Sequence, residues 1–220
     1  MISILKKICS GINAGIMIVI GCAVFLACTA KTENNSIMNV FGAFFFAVAL
    51  LTICIKGYSL YTGKVGYLPE KHGKEEFSVL FLGLLGNAIA CVVFGFMIKY
   101  SLPNLQIQAK AICTSKLNSQ AFMQTFFRAV FCGILMYVAV SIFRDNKTIA
   151  GILFAIPVFI LSGYEHSVAD IGYFAISGIV SWEAFGFIWI VIAGNSIGAW
   201  ILPLLGFGYK RAKKESNEEK

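Results

Sequence analysis

Long apolar runs joined by short polar connections account for nearly the whole chain. The first run covers about 11–30 and is followed by a polar loop, 31–36. The second begins near Ile37, carries a phenylalanine-rich stretch and breaks after Lys56. A charged loop, 64–76, leads to the third run, about 77–100, and then to the longest connection, 101–119, with Lys110 and Lys116. The fourth run covers about 121–143, and Arg144-Asp145-Asn146-Lys147 forms a tight hydrophilic turn. The fifth run, about 148–180, holds Pro157 and is interrupted at Ser162-Gly163-Tyr164-Glu165-His166-Ser167; its remainder, 171–180, is too short to cross alone. The sixth runs from about 182 to 208 into a Lys/Arg/Glu tail. A bilayer crossing takes about 20 apolar residues. The pattern therefore predicts an all-α membrane protein with six transmembrane helices, the second and fifth broken.

The halves of the chain match one another. Gly57-Tyr58 precedes Gly163-Tyr164 by 106 residues, and Gly86-Asn87 precedes Gly194-Asn195 by 108. Gly15-Ile16-Met17 also resembles Gly133-Ile134-Leu135. An odd number of spans per copy inserts the second copy upside down, giving two inverted three-helix repeats at about 9–100 and 119–208. Inverted repeats with broken helices place the breaks near the bilayer midplane, where helix ends face a shared cavity. Irregular backbone at that depth is tolerated only where it lines such a cavity. We therefore expect a single transmembrane channel domain over residues 1–220, with 209–220 as a cytoplasmic tail.

Composition agrees with the pattern: 58% of residues are hydrophobic, 13% are charged, and mean hydropathy is +0.80. The net charge of +7 comes from lysines and arginines clustered in loops, so it implies no nucleic-acid partner. With both termini in the cytoplasm, twelve Lys/Arg fall inside and four outside, the asymmetry expected of a multi-pass cell-membrane protein. The start of the chain resembles a lipoprotein signal, with Lys6, Lys7 and Leu26-Ala27-Cys28. Phe25 fits that pattern poorly, and the expectation is a retained first span. Seven cysteines form no C-x-x-C pair and sit mostly in apolar runs, where they read as small buried hydrophobes. No metal or cofactor is implied.

Ionisable groups inside apolar runs mark candidate function. His166 either plugs the bundle structurally or shares a proton with a permeating weak-acid anion. Its neighbour Glu165 either orients it or caps the following half-helix. Thr62, in the first break, either caps backbone or donates to an oxyanion. Asn195, like Asn87, follows a glycine and either bonds neighbouring helices or faces a pore. Phe46, Leu50, Leu60, Tyr61 and Phe159 are either plain core or constrictions above and below a polar chamber. A dry constriction rejects hydrated ions. One histidine cannot build a metal site, and no nucleophile accompanies Glu165-His166, so a membrane enzyme is the weaker reading.

Several of these stretches resemble the formate/nitrite transporter family: Leu60-Tyr61-Thr62-Gly63, then Phe126-Phe127-Arg128 with Cys132. The resemblance is strongest in Gly163 through Asp170 and in Gly194-Asn195-Ser196-Ile197-Gly198. It implies an aquaporin-like fold, a homopentamer, and a channel or proton-coupled carrier for formate, nitrite, hydrosulfide or a related small anion. By motif, the central histidine falls on His166 and the loop threonine on Thr62; the slits fall on Phe46, Leu50, Leu60, Tyr61 and Phe159. The lysine that gives the vestibule positive potential falls on Lys116. Ser59, Tyr61, Gly133 and Asp170 depart from the pattern, as does Lys56. Lys56 either snorkels to the cytoplasmic face or raises the positive potential near the break. The expected activity is passage of a small monovalent weak-acid anion, with formate or nitrite leading. The alternative is a neutral-solute pore of aquaporin type.

Overall fold

The computed structural model describes residues 2–30 and 36–218, with side chains for 3–30 and 36–206. Residues 31–35 of the expected first loop, and the last two residues of the tail, lie outside it. The described residues form helices joined by short turns: α1 (Ile2–Ala30), α2 (Ser36–Lys56), α3 (Tyr61–Lys64) with a following 3₁₀ turn (Val65–Tyr67), and α4 (Lys74–Ser101). Then come α5 (Pro103–Ser119), α6 (Phe122–Asn146), α7 (Ala150–Leu161), α8 (Ser167–Ser177) and α9 (Trp182–Glu218). Five of these, α1, α2, α4, α6 and α9, are long and apolar enough to cross a bilayer; α7 is a shorter apolar helix. With large side chains such as Phe45, Phe81, Val93, Phe154 and Trp189 exposed on the bundle's outside, the chain is a multi-pass membrane protein.

Three boundaries differ from the sequence reading. Helix α1 starts at Ile2 rather than near residue 11, because residues 2–10 hold no Gly or Pro and carry the helix formers Leu5, Lys6 and Lys7. Lys7 of that turn donates to Ser78 Oγ at 2.9 Å and pairs with Glu75 at 2.8 Å. The 101–119 connection is the helix α5, with Pro103 in its first turn, where the missing N–H costs nothing. Leu105, Ala109 and Cys113 recur every four residues and make its buried stripe, and Lys116 continues that stripe one turn on. Helix α9 carries on beyond residue 208 through Glu218, since the Lys/Arg/Glu tail is as helix-compatible as it is polar.

Helix α1 packs on α4 and α2, α6 on α9 and α7, and α2 on α7, while α8 lies against α4, α5 and α1. The close crossings use glycine. A Cβ at Gly15 would sit 2.6 Å from the Asn87 carbonyl oxygen, and one at Gly133 would collide with the Asn195 carbonyl. The core between the elements is formed by Ile18, Phe46, Leu50, Met136, Ile152, Ile156, Phe159 and Val168, all buried.

Candidate functional site

Helices α2 and α7 stop in the same way. Gly57 and Gly163 adopt φ of 70° and 68°, the left-handed region that costs a side chain and suits glycine. Tyr58 N–H bonds back to the Ile53 carbonyl at 3.0 Å and Gly57 N–H to Cys54 at 3.3 Å. Tyr164 N–H bonds to Phe159 at 3.0 Å and Gly163 N–H to Ile160 at 3.1 Å. Both are the paired closing bonds of a glycine-terminated helix.

Beyond each stop the chain turns into a short helix, α3 or α8, whose first turn is held by an asparagine from another helix. Asn87 Oδ1 accepts from Tyr61 N–H at 3.0 Å, and its amide donates to the Gly11 carbonyl at 2.8 Å and the Ser59 carbonyl at 2.9 Å. Asn195 Oδ1 accepts from Ser167 N–H at 2.9 Å, and its amide donates to Ala129 at 2.9 Å and Glu165 at 2.8 Å. Both asparagines are fully buried. Their amides satisfy main-chain groups that neither lipid nor core could satisfy. Asn195 thus spends both amide hydrogens on carbonyls and stands as a clamp on the break.

The breaks meet at Thr62 and His166. Thr62 Oγ1 lies 2.8 Å from His166 Nε2, and both residues are buried. His166 also caps α8: its Nδ1 accepts from Ala169 N–H at 3.1 Å. That bond fixes the tautomer of a neutral ring, because an accepting Nδ1 leaves the proton on Nε2. Nε2–H then donates to Thr62 Oγ1, and the Thr62 hydroxyl proton is left free for another acceptor. Phe159 stacks on the imidazole with centroids 5.8 Å apart, and Phe46 meets Phe159 edge-on at 6.1 Å. The predicted constriction residues Phe46 and Phe159 therefore form one aromatic column with His166.

Leu50 and Leu60 lie elsewhere, at the floor of a cavity of about 500 Å³ that also reaches Gly63, Lys64, Tyr67, Phe143 and Arg144. Tyr61 joins neither group: its hydroxyl lies 2.8 Å from Ser196 Oγ, which itself donates to the Ile192 carbonyl, so Tyr61 is the donor and is tied to α9. Lys56 is exposed at the end of α2 and does not line the cavity, although Gly57 and Tyr58 do. The cations lining the cavity are Lys64, Lys71, Arg144 and Lys147, with Glu75 and Glu76 beside them. The Lys64 ammonium donates to Ser59 Oγ at 3.1 Å, and Ser59 in turn accepts from Ser10 Oγ. The sequence held a signal for Lys64, two residues past Thr62, but its place in the loop made it look like a topology charge.

On the far side of the break, Lys116 reaches in from α5. Its ammonium is hydrogen-bonded to Glu165 Oε2 and to Asp170 Oδ1, the latter at 2.8 Å. Gln120 Nε2 donates to the other Glu165 oxygen at 2.9 Å, and Thr125 Oγ1 donates to the Gln120 carbonyl oxygen at 3.2 Å. Lys116 thus bridges two carboxylates while its own side chain is 14% exposed. The sequence named Lys116 and Glu165 but not their partnership, nor the parts played by Asp170 and Gln120.

The described residues thus form a bundle of apolar, outward-exposed helices in which two amide-clamped breaks meet at a buried Thr–His pair. A profile of the formate/nitrite transporter family matches residues 1–209, and the chain belongs to that family. Relatives include the nitrite transporter NirC of Salmonella typhimurium, 26% identical over 77% of this chain and 70% of that protein. A probable formate transporter of Methanothermobacter thermautotrophicus is 29% identical over 80% of this chain and 76% of its own length. The formate-nitrite transporter of Plasmodium ovale is 28% identical over 64% of this chain, which spans about half, 51%, of that relative. Among solved structures, an FNT family ion channel superposes with a TM-score of 0.79 at 22% identity, covering 94% of this chain and 90% of the other. A pentameric formate channel with formate bound superposes at 0.74 and 19% identity, covering 96% and 97%. The family and these relatives are transporters and channels, not enzymes.

Proposed function

We propose that the chain forms a six-span channel of two inverted repeats, α1 to α4 and α6 to α9, in which α2–α3 and α7–α8 are the broken spans. The matched glycine stops and the matched asparagine clamps support this reading. The pore runs from the Leu50/Leu60 cavity, past Thr62 and His166, to the Phe46/Phe159 side. The solute is a small monovalent weak-acid anion, formate or nitrite first, in keeping with what the relatives are named for. The chain assembles as a homopentamer in the cell membrane with both termini cytoplasmic, and the pentameric formate channel supports the assembly.

One observation carries the mechanism: Thr62 and His166, 104 residues apart, lie within 2.8 Å of each other at the junction of the breaks. With the imidazole donating through Nε2–H, the Thr62 hydroxyl is free to donate to an arriving carboxylate or nitrite oxygen. The anion loses water at the apolar floor and gains the hydroxyl and, across it, the imidazole dipole. A proton taken up from solution by the imidazole and passed on to the bound anion returns the ring to its neutral form. The solute then leaves as the neutral acid across the aromatic column, which favours uncharged species. Lys64, among the residues lining the cavity, draws the anion in.

Flux of formate, nitrite and glycerol into proteoliposomes, measured for wild type and His166→Asn, tests the reading. We expect pH-dependent formate or nitrite flux in the wild type, suppressed by the substitution, with little glycerol flux in either. Equal glycerol flux in both proteins without pH-dependent anion flux would mean a neutral-solute pore instead.

A further inference from the structure

Lys116 sits between Glu165 and Asp170, whose side chains are each 2% exposed, while its own is 14% exposed. One ammonium faces two carboxyl groups. Ionised together, the three leave an uncompensated negative charge at bilayer depth, which is strongly disfavoured. The hydrogen bonds do not relieve it. Glu165 has all its oxygens engaged, by Lys116 and Gln120, but Asp170 Oδ2 is buried and has no hydrogen-bond partner among the described residues. An ionised oxygen in that position would lack both water and a donor. A carboxylic acid needs neither.

Other titratable groups do not change the count. Cys113 of α5, Cys22 of α1, Cys132 of α6 and Tyr173 of α8 lie within electrostatic reach of Asp170, and Cys91 of α4 donates to the Val168 carbonyl; these are buried thiols and a phenol. Arg128 of α6 accepts from Glu165 N–H through its carbonyl and has an exposed side chain. Helix α9 contributes the ring of Phe187, 5.8 Å from the Lys116 ammonium. His166 is one helical turn away, its carbonyl accepting from Asp170 N–H at 2.9 Å.

We infer that Asp170 and Glu165 together bind one proton above Lys116, a proton-binding site separate from His166, whose occupancy sets the charge felt by an anion at the Thr62–His166 pair. The inference rests on the proposed anion path. With the proton bound, the cluster is neutral and the anion meets no repulsion. When the proton leaves to bulk solution at higher pH, the cluster becomes singly negative beside the path, and anion passage slows. The site is a pH brake on the alkaline side.

The test compares wild type, Asp170→Asn and Glu165→Gln, each checked for assembly by size exclusion, in proteoliposome formate flux from about pH 5 to about pH 8. Both variants keep one carboxylate on Lys116 and stay neutral without a bound proton. The fraction of free formate that is protonated changes identically for all three proteins, so the variant-to-wild-type ratio isolates the cluster. We expect that ratio to rise on the order of tenfold from the acid to the alkaline end. In the wild type near neutral pH, infrared spectroscopy should detect a buried carboxylic acid C=O band that both substitutions remove. A ratio flat with pH, a band absent from the wild type or retained in both variants, or assembled variants without flux at any pH would each overturn the inference. The proposed path fails separately, if His166→Asn leaves anion flux intact.

Discussion

Asn195→Ala is the sharpest test of how the second break is held. The substitution removes an acceptor from Ser167 N–H and two donors from the carbonyls of Ala129 and Glu165, at a fully buried position. Polar hydrogen bonds inside membrane bundles average about 0.6 kcal/mol, and stranding a buried group costs about 1–3 kcal/mol. The three contacts together place the expected loss at about 2–4 kcal/mol. Asn87→Ala removes the same three kinds of contact in the first break, so its loss should match within about 1 kcal/mol. Reversible unfolding in sodium dodecyl sulfate, followed by tryptophan fluorescence, measures both. Asn195→Asp keeps the shape and the acceptor but turns an oxygen toward two carbonyls, and it should destabilise at least as much as alanine. An Asn195→Ala loss within about 0.5 kcal/mol of zero would refute the clamp.

The remaining predictions concern the turns and the cavity. Gly57→Ala and Gly163→Ala should each cost about 1–2 kcal/mol by the same unfolding assay, purely from the left-handed backbone, since a Cβ at either site meets no atom within 4 Å. Gly186→Ala, in equally open space but ordinary helix, should be neutral or stabilising by about 0.5–1 kcal/mol. Lys64→Gln should lower formate flux about three- to tenfold at low substrate, through a raised half-saturation concentration, and should blunt the salt sensitivity of uptake. An unchanged half-saturation concentration would remove Lys64 from the path.

Much of the frame could be read from residue types alone. Gly57 and Gly163 were legible as helix stops because each lies in a polar interruption of an apolar run and the two interruptions match; Gly95-Phe96 and Gly186-Phe187, without such surroundings, lie inside helices. Asn87 and Asn195 were legible as a pair because a buried amide after a glycine stands out at any depth. Thr62 and His166 were both visible, but their contact was not: nothing local brings together residues 104 positions apart. The Lys116 cluster was harder still. Its partners come from α5 and α8, and α5 looked like a loop because its buried stripe is short and made of Leu105, Ala109 and Cys113. Asp170 was seen only as an unusual residue, since one turn of helix says nothing about which cation faces it. For Tyr61 the sequence offers the ring but not its anchor, since the hydroxyl bonds to Ser196 of α9, 135 positions away.

Helix α3 is four residues long, yet it is fastened along its whole length. Asn87 holds the Tyr61 N–H, Ser196 holds the Tyr61 hydroxyl, and the Trp200 indole donates to the Val65 carbonyl at 2.9 Å just beyond its end. A segment fixed at three points over five residues has almost no mechanical slack. Whatever crosses the neighbouring chamber does so past a stiff wall. On the proposed path, variants along this wall should therefore act through the electrical and hydration landscape rather than through movement of α3.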